Sequence, residues 1–101
     1  IYVWTSTAIT GDVVWDFDYR AVGGNDTESL DQTTQDEAVT VTDTAPGAAN
    51  RRLEVSVSLT SANLVADDTV EFLAARDGVA VGDTMAAAAM LVGLYLQYND
   101  V

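Results

Sequence analysis

Cysteine, histidine and lysine are all missing from this 101-residue sequence. Without cysteine, neither disulfides nor thiol chemistry can stabilise the fold, and no redox compartment can be inferred. Without histidine as well, zinc sites of the Cys/His kind, Ser-His-Asp and Cys-His catalysis, and histidine-based pH switching are excluded. Most hydrolase chemistry is therefore excluded, and we expect no catalytic residue, no metal ligand and no cofactor.

Positive charge is scarce, because 4 arginines stand against 16 acidic residues and the formal net charge is −12. Such a surface repels phosphate backbones and anionic lipid headgroups. The longest apolar run, Met85 to Leu96, contains Gly93 and is shorter than the roughly 20 residues of a membrane-spanning helix. We therefore expect neither a nucleic acid nor a membrane as partner. A salt-adapted or GC-rich source explains the acidity as well as any functional reason does.

The residues that are present favour β-structure in a single domain over residues 1–101. Hydrophobic residues make up 49% of the chain, and the frequent valine and threonine suit strands. In the range 13–22, Trp15, Phe17 and Tyr19 share one face of an alternating pattern while charged residues occupy the other face. Each aromatic ring buries about 150–250 Å², so this face needs a second sheet packed across it. The pattern predicts a β-sandwich or barrel.

Alternation predicts strands over residues 1–7, 13–22, 38–42, 50–60, 69–77 and 85–98. The short link 8–12 carries a Gly-Asp turn signal, which predicts an antiparallel hairpin of the first two strands. The range 50–60 has the cleanest alternation, typical of a half-buried strand. In the last range four consecutive alanines favour a helix. One apolar row favours instead a strand bulged near those alanines, and that row comprises Met90, Val92, Leu94, Leu96 and Tyr98.

The fifth predicted strand ends on a charged residue that continues its apolar row. Val70, Phe72 and Ala74 are expected to face inward, and Arg76 follows at the same spacing. Because a buried arginine needs a partner, we expect Arg76 to lie at the sheet edge and to pair with a carboxylate. The preceding segment, 61–68, is predicted to cross between sheets with Leu64 beneath the sandwich.

Two acidic groups could bind cations, and each has a simpler explanation. Asp16 and Asp18, with Asp12 on the same strand face, could bind a cation or act as an acid/base pair, but a solvated strand face is favoured. Within the long polar loop 23–37, four oxygen-bearing side chains could form a calcium loop, although they match no EF-hand spacing and loop polarity alone explains them. These four are Asn25, Asp26, Glu28 and Asp31.

Aromatic and basic residues give two further candidates. Trp4, Trp15 and Tyr19 could form a platform on which sugar rings stack, but core packing explains them better. Arg51 and Arg52 are the only basic pair and could bind an acidic patch on a neighbouring subunit, with an intramolecular ion pair as the alternative. The candidate interface residues are Arg51, Arg52 and Arg76.

The order of several motifs resembles a group of small jelly-roll domains found in structural proteins of tailed bacteriophages. These motifs are VVWDFDYRAVGGNDTESLD at 13–31, DTAPG at 43–47, DDTVEF at 67–72, RDG at 76–78 and DTMA at 83–86, followed by an aromatic closing strand. The resemblance implies an antiparallel jelly-roll sandwich of about eight strands and no catalytic residue. In such proteins the domain usually follows further N-terminal sequence. We expect the domain to be truncated at its N-terminus and to be the C-terminal part of a longer chain.

The resemblance implies a non-enzymatic virion structural protein on the outer surface of the particle. A capsid decoration or head-fibre module is expected, acting as a homotrimer that also contacts other virion proteins such as the major capsid protein. The alternative is a tail-associated receptor- or carbohydrate-binding module. That module would bind a host-surface glycan through the loops 23–37 and 77–83.

Overall fold

The computed structural model describes residues 1–23, 29–30 and 34–98, and this part of the chain is all β apart from one 3₁₀ turn. Its strands are β1 (Tyr2–Ser6), β2 (Asp12–Val22), β3 (Glu37–Thr44), β4 (Leu53–Val55), β5 (Thr69–Arg76) and β6 (Ala89–Leu94), and the turn is Ser61–Asn63. The predicted all-β class is confirmed. No helix among the described residues has the length and apolar character needed to cross a membrane.

The strands form two antiparallel three-stranded sheets, ordered β4-β1-β6 and β3-β2-β5. The central strand of each sheet is the most aromatic one, and the two central strands face each other across the core. Tyr2 stacks on Trp15 with ring centroids 5.0 Å apart, and Trp4 meets the same ring edge-on at 5.8 Å. The aromatic face of β2 is therefore covered by a second sheet, as the sequence predicts, and the β-sandwich is confirmed.

Polar atoms of the core aromatics bond across the sandwich. The Tyr2 hydroxyl donates to the backbone carbonyl of Asp16 at 2.6 Å, and Trp4 Nε1 donates to Asp43 Oδ2 at 2.9 Å. Both rings are completely buried, and a buried donor without a partner would cost about 1–3 kcal/mol. These two bonds therefore fix how the sheets face each other as well as satisfying the donors.

The predicted hairpin of the first two strands is wrong, because β1 and β2 belong to different sheets. The link between them crosses the end of the sandwich instead of turning back within one sheet. Gly11 lies in this link at φ +97°, and a Cβ there would be 2.7 Å from the Cα of Met85. The crossing therefore depends on a residue without a side chain. It places the aromatic faces opposite one another, where they bury more area than as neighbours on one sheet.

The strand predicted over 50–60 is only three residues long in the structure, although its alternation is real. β4 pairs with β1, whose first residue Tyr2 lies opposite Val55, so the residues after Val55 have almost no strand to pair with. Val57 and Leu59 still pack against the core, as does Leu64. The predicted facing of this segment and the position of Leu64 are thus confirmed, whereas the strand length is wrong.

The last segment is a strand, as favoured over a helix, but it is shorter than 85–98 and its bulge lies elsewhere. β6 pairs with β1 in two registers, with Gly93 opposite Val3 but Leu91 opposite Trp4. The extra residue, Val92, is a β-bulge that reverses the facing of the residues before it. Leu91 therefore shares the inward face with Leu94, and Met90 points outward opposite Thr5. The predicted single row from Met90 to Tyr98 is wrong for this reason.

Candidate functional site

One side of the sandwich leaves inward-facing apolar side chains uncovered. β5 and β6 are the edge strands on this side, and they are bridged at one end by Arg76, whose guanidinium donates to the carbonyls of Met85 and Ala87 at 2.6 and 2.7 Å. Phe72 stacks on the core residue Phe17 at 5.4 Å. We call this side the β5/β6 edge, defined by the inward-facing residues Val70, Phe72, Leu91 and Leu94.

The β5/β6 edge differs from the opposite edge in how well it is covered. Phe72 is 56% exposed, Leu91 44% and Val70 39%, although all three point toward the space between the sheets. On the opposite side, apolar residues of β3 and β4 are half-buried and pack against the core. Apolar surface in water costs about 25 cal/mol per Å². The β5/β6 edge is therefore an unfilled part of the core.

The β5/β6 edge also lacks most of the devices that protect exposed strands from pairing. Charged side chains and proline are the commonest protection, but β6 contains neither, and β5 contains only Glu71 and Arg76. Arg76 is engaged within the chain, so Glu71 is the one free charge along these two strands. The bulge in β6 is the only other such device. This edge is therefore open to an added strand, most of all along β5.

Arg76 is paired with a carboxylate at the sheet edge, as the sequence predicts. Its Nε and one terminal nitrogen donate to the two carboxylate oxygens of Asp83 at 2.9 and 2.6 Å. Asp83 also accepts the backbone N–H of Val14 at 3.1 Å. The Arg76 guanidinium lowers the pKa of the Asp83 carboxyl, and the Val14 N–H adds to the effect. All of these contacts lie within the chain, so Arg76 secures the loop after β5.

The other two candidate interface residues lie at the opposite edge of the sandwich. Arg51 and Arg52 immediately precede β4 and are exposed. Arg52 forms an exposed ion pair with Glu54 two residues further on, which is the intramolecular alternative considered for this pair. The structure therefore does not bring Arg51 and Arg52 together with Arg76. A role for any of the three at an interface stays a prediction.

Carboxylates do gather on the outer face of β2, but not as a metal site. Burial raises the pKa of Asp16, and the neighbouring carboxyl of Asp18 and then that of Asp77 raise it further. Asp12 is engaged elsewhere, since its Oδ1 accepts the Thr44 hydroxyl at 2.9 Å. Among the described residues, no group of three or more potential ligands could hold a metal ion. The nearby Asp18 carboxyl instead makes a negative charge on Asp16 less favourable, which raises the pKa of Asp16.

A shallow open depression of about 190 Å³ lies on the same face, at the end of β2. Asp18, Arg20 and Glu71 contribute charged groups to it, and Leu73 contributes apolar surface. Arg20 is buried and donates to the carbonyl of Ser29 at 2.6 Å. This hydrogen bond ties Ser29 to β2.

The sugar-stacking platform considered for Trp4, Trp15 and Tyr19 is not on the surface. All three are core residues, each at most 3% exposed, so core packing, the favoured interpretation, is confirmed. The exposed aromatics are Phe72, Tyr95 and Tyr98, although the sequence pattern placed Phe72 and Tyr98 in apolar rows of their strands. Alternation marks Phe72 as inward-facing, but it carries no signal that β5 is an edge strand.

Of the two candidate binding loops, the structure describes the loop 77–83 in full and the loop 23–37 only in part. Most of the loop 23–37 lies outside the described residues, together with the calcium candidates Asn25, Asp26, Glu28 and Asp31. The loop 77–83 is described, and two reverse turns build it, with Ala80 N–H bonded to Asp77 and Asp83 N–H bonded to Ala80. Val79 and Val81 at its tip are 95% and 99% exposed. This loop therefore holds two exposed valines on a backbone that two hydrogen-bonded turns fix in place.

A scan against protein-family models, a search of curated proteins and a search of solved structures each found no match to this chain. The antiparallel sandwich with its β5/β6 edge is therefore the basis for assigning a function.

Proposed function

We propose that this chain is a non-enzymatic structural module on the outer surface of a tailed-phage particle, in the manner of a capsid decoration or head fibre. The observation that carries the proposal is the β5/β6 edge. A chain with a net charge of −12 keeps an apolar strand edge at its side on which Glu71 is the one free charge, and such edges mark sites where further strands or other chains pack. High negative charge elsewhere keeps closely spaced copies soluble.

The proposal includes a jelly-roll topology, which the strand order supports. When the eight strands of a jelly roll are numbered along the chain, its two sheets read 1-8-3-6 and 2-7-4-5. The observed orders β6-β1-β4 and β5-β2-β3 fit positions 8-3-6 and 7-4-5. The two positions that remain empty lie beside β6 and β5. The strand order and the exposed apolar residues thus both indicate that further strands fit on the side of the sandwich formed by β5 and β6.

The virion assignment draws on the motif order from residue 13 onward. Association of many copies, as a trimer or in another symmetry, and contact with a shell protein belong to this proposal. No step of it requires bond-making chemistry, and the absence of histidine, cysteine and lysine leaves carboxylates as the main titratable groups. The described carboxylates mostly hold the fold together, as Asp83 and Asp43 do.

Electron cryo-microscopy of the particle that carries this chain tests the proposal. We expect density for a sandwich of this size on the outer face of the capsid, arranged around a symmetry axis. Density at the tail tip would overturn the decoration assignment and would support the receptor-binding alternative.

A tail-associated binding module is the second candidate, favoured by the exposed tip of the loop 77–83. If this candidate is correct, Val81→Asp should abolish attachment to host cells without changing the melting temperature. The matched control is Val65→Asp, which places the same charge at a site that is 68% exposed in another loop. Equal attachment by both variants would exclude the loop as a receptor contact.

A further inference from the structure

We propose that the β5/β6 edge is closed by two further strands of the same polypeptide, supplied by the segment that precedes Ile1. The first added strand would pair with β6 and the second with β5, so that both three-stranded sheets become four-stranded. The proposal rests on the jelly-roll topology proposed above and adds the order, the direction and the contacts of these strands.

The backbone of β5 offers a regular ladder to the second added strand. The N–H of Asp77 donates to the carbonyl of Val14 at 2.9 Å, and the β2–β5 register places these two residues opposite each other. In an antiparallel ladder, the backbone groups of alternate residues point to the same neighbour. The N–H and C=O groups of Val70, Phe72 and Ala74 therefore point away from β2, toward the free edge.

β6 offers fewer backbone groups to the first added strand. Ile1 and Tyr95 exchange both of their backbone hydrogen bonds, at 2.7 and 2.9 Å, so the N–H and C=O of Leu94 point away from β1. The bulge at Val92 interrupts the ladder further back along β6. We therefore expect backbone bonds to hold the second added strand, and packing on Leu91 and Leu94 to hold the first.

The observed contacts fix the direction in which each added strand must run. We call the two ends of the sandwich the Tyr2 end and the Arg76 end. Tyr2 contacts the rings of Trp15 and Phe17, and Trp4, two residues later, contacts the earlier of these two rings. β1 and β2 therefore run in opposite directions across the core. Because β5 is antiparallel to β2 and β6 is antiparallel to β1, β5 begins and β6 ends at the Tyr2 end.

These directions give the added strands a continuous path in one order only. Antiparallel to β6, the first added strand runs to the Arg76 end, and the second, antiparallel to β5, starts there and returns to the Tyr2 end, where β1 begins. Both links are then short, as connections between strands usually are. In the reverse order the last added strand would finish at the Arg76 end. Its link to β1 would have to return along the 8 residues of β5, about 26 Å at 3.3 Å per residue.

The side chains left uncovered define what the added strands must carry. Phe72, Leu91 and Val70 point into the space between the sheets and are exposed there. Alternate residues of each added strand would face this space and complete the core if they are apolar. Outward-facing residues of the second added strand would lie beside Glu71, where an opposing carboxylate is disfavoured. We therefore expect two segments before Ile1 that alternate apolar and polar residues and carry few acidic ones.

Charge and connectivity favour the same polypeptide over a second copy. Two copies that each carry a net charge of −12 repel one another, whereas a strand joined to β1 by a short link is held beside the edge at a high effective concentration. Self-association of residues 1–101 alone would then be a consequence of the open edge. The longer polypeptide, with its edge covered, should not associate through β5.

Amide hydrogen exchange, measured by NMR, tests the proposal by comparing residues 1–101 with the same chain carrying its natural preceding sequence. The N–H of Leu73 points to β2 in both chains, so it is the internal reference for overall stability. Relative to Leu73, we expect the outward N–H of Phe72 to exchange about 100-fold more slowly in the longer chain, because it gains a partner there.

Substitutions made in the longer chain keep the test decisive if residues 1–101 are unstable alone. Phe72→Lys should lower the folding equilibrium constant by about 100-fold or more, because the completed sandwich would bury an unpaired ammonium group. Val81→Lys makes the same charge change on a loop residue that is 99% exposed and should have little effect. Val70→Pro removes an outward N–H, so it should be tolerated at an open edge and should destabilise a completed sheet.

Fast exchange at Phe72 in the longer chain, or a Val70→Pro variant of that chain as stable as wild type, would overturn the proposal. Protection in the longer chain that appears only as its concentration rises would overturn it too, because a second copy would then cover the edge. A natural sequence without two alternating segments before Ile1 would do the same. None of these results concerns the position on the particle. Capsid density with an open edge would preserve the proposed function, and a covered edge at the tail tip would preserve the added strands alone.

Discussion

Asp16 is a carboxylate whose pKa lies above that of an ordinary surface aspartate. Burial raises its pKa first, and Asp18 and Asp77 raise it further. In the folded state Asp16 therefore holds its proton to a higher pH than in the unfolded chain. The protonated carboxyl of Asp16 therefore contributes fully to stability below the unfolded-state pKa of aspartate. This contribution is lost as the pH rises through the folded-state pKa of Asp16.

We predict that Asp16→Asn raises the melting temperature at neutral pH, because the amide removes a desolvated charge from beside Asp18. The gain should shrink as the pH falls below the ordinary aspartate range near 4, where the wild-type carboxyl is protonated as well. Thermal unfolding between acid and neutral pH measures this. Asp67→Asn is the control, since it changes net charge equally at an exposed turn residue. Equal stabilisation by both variants would show that only net charge matters.

Gly11 allows a test of the crossing between the sheets. Gly11→Ala should destabilise the fold by about 3 kcal/mol or more, because the φ of +97° disfavours a side chain and the new Cβ would overlap Met85. Gly47→Ala is the control at φ +72° with open space around it, and it should cost only about 1 kcal/mol. Urea denaturation measures both, and equal costs would contradict the role of the Met85 contact.

Among the elements, β5 and the loop after it depend on the Arg76–Asp83 pair. The Asp83 side chain is 2% exposed and that of Arg76 is 23% exposed. Because the pKa of Asp83 is lowered, chiefly by Arg76, the pair's contribution is present above the unfolded-state pKa of aspartate and is lost as the pH falls through the folded-state value.

We predict that Arg76→Met destabilises the fold by about 3 kcal/mol at neutral pH, because it leaves a buried carboxylate without its partner. The difference from wild type should narrow in acid, where Asp83 becomes protonated in both proteins. Arg52→Met removes the same charge from an exposed ion pair, where solvent screens the interaction, and should change stability far less than Arg76→Met does. A loss of stability from Arg76→Met that does not change with pH would argue against the ion pair as its cause.

At the scale of the whole molecule, the net charge and the β5/β6 edge have opposite effects on self-association. The net charge of −12 makes two copies repel at long range, while the β5/β6 edge favours contact at short range. Salt shortens the reach of the repulsion, with a Debye length of roughly 30 Å at 0.01 M and about 3 Å at 1 M. Association through this edge should therefore depend on salt in the opposite sense to binding that relies on ion pairs.

We predict that added sodium chloride strengthens self-association, with a dissociation constant that falls steadily with ionic strength. Sedimentation equilibrium across a salt series measures this, with Phe72→Lys as the variant that should stay monomeric throughout. A dissociation constant that rises with salt would indicate an interface held by ion pairs, such as one that uses Arg51 and Arg52.

The sequence by itself determined the class of the fold and much of the facing of its strands. Alternation is a local property, so it identified Trp15, Phe17 and Tyr19 as one buried face, Val70 and Phe72 as inward-facing, and Arg76 as a residue in need of a carboxylate. Tertiary structure decided which strands share a sheet. The link between β1 and β2, with Gly11 at positive φ and packed closely against Met85, crosses to the opposite sheet. Tertiary structure also decided where the bulge lies and which strands are edges, since both depend on pairing between distant segments that no local pattern records. The β5/β6 edge is therefore visible only in the folded chain, where inward-facing residues that the sequence marks as core have no neighbour to cover them.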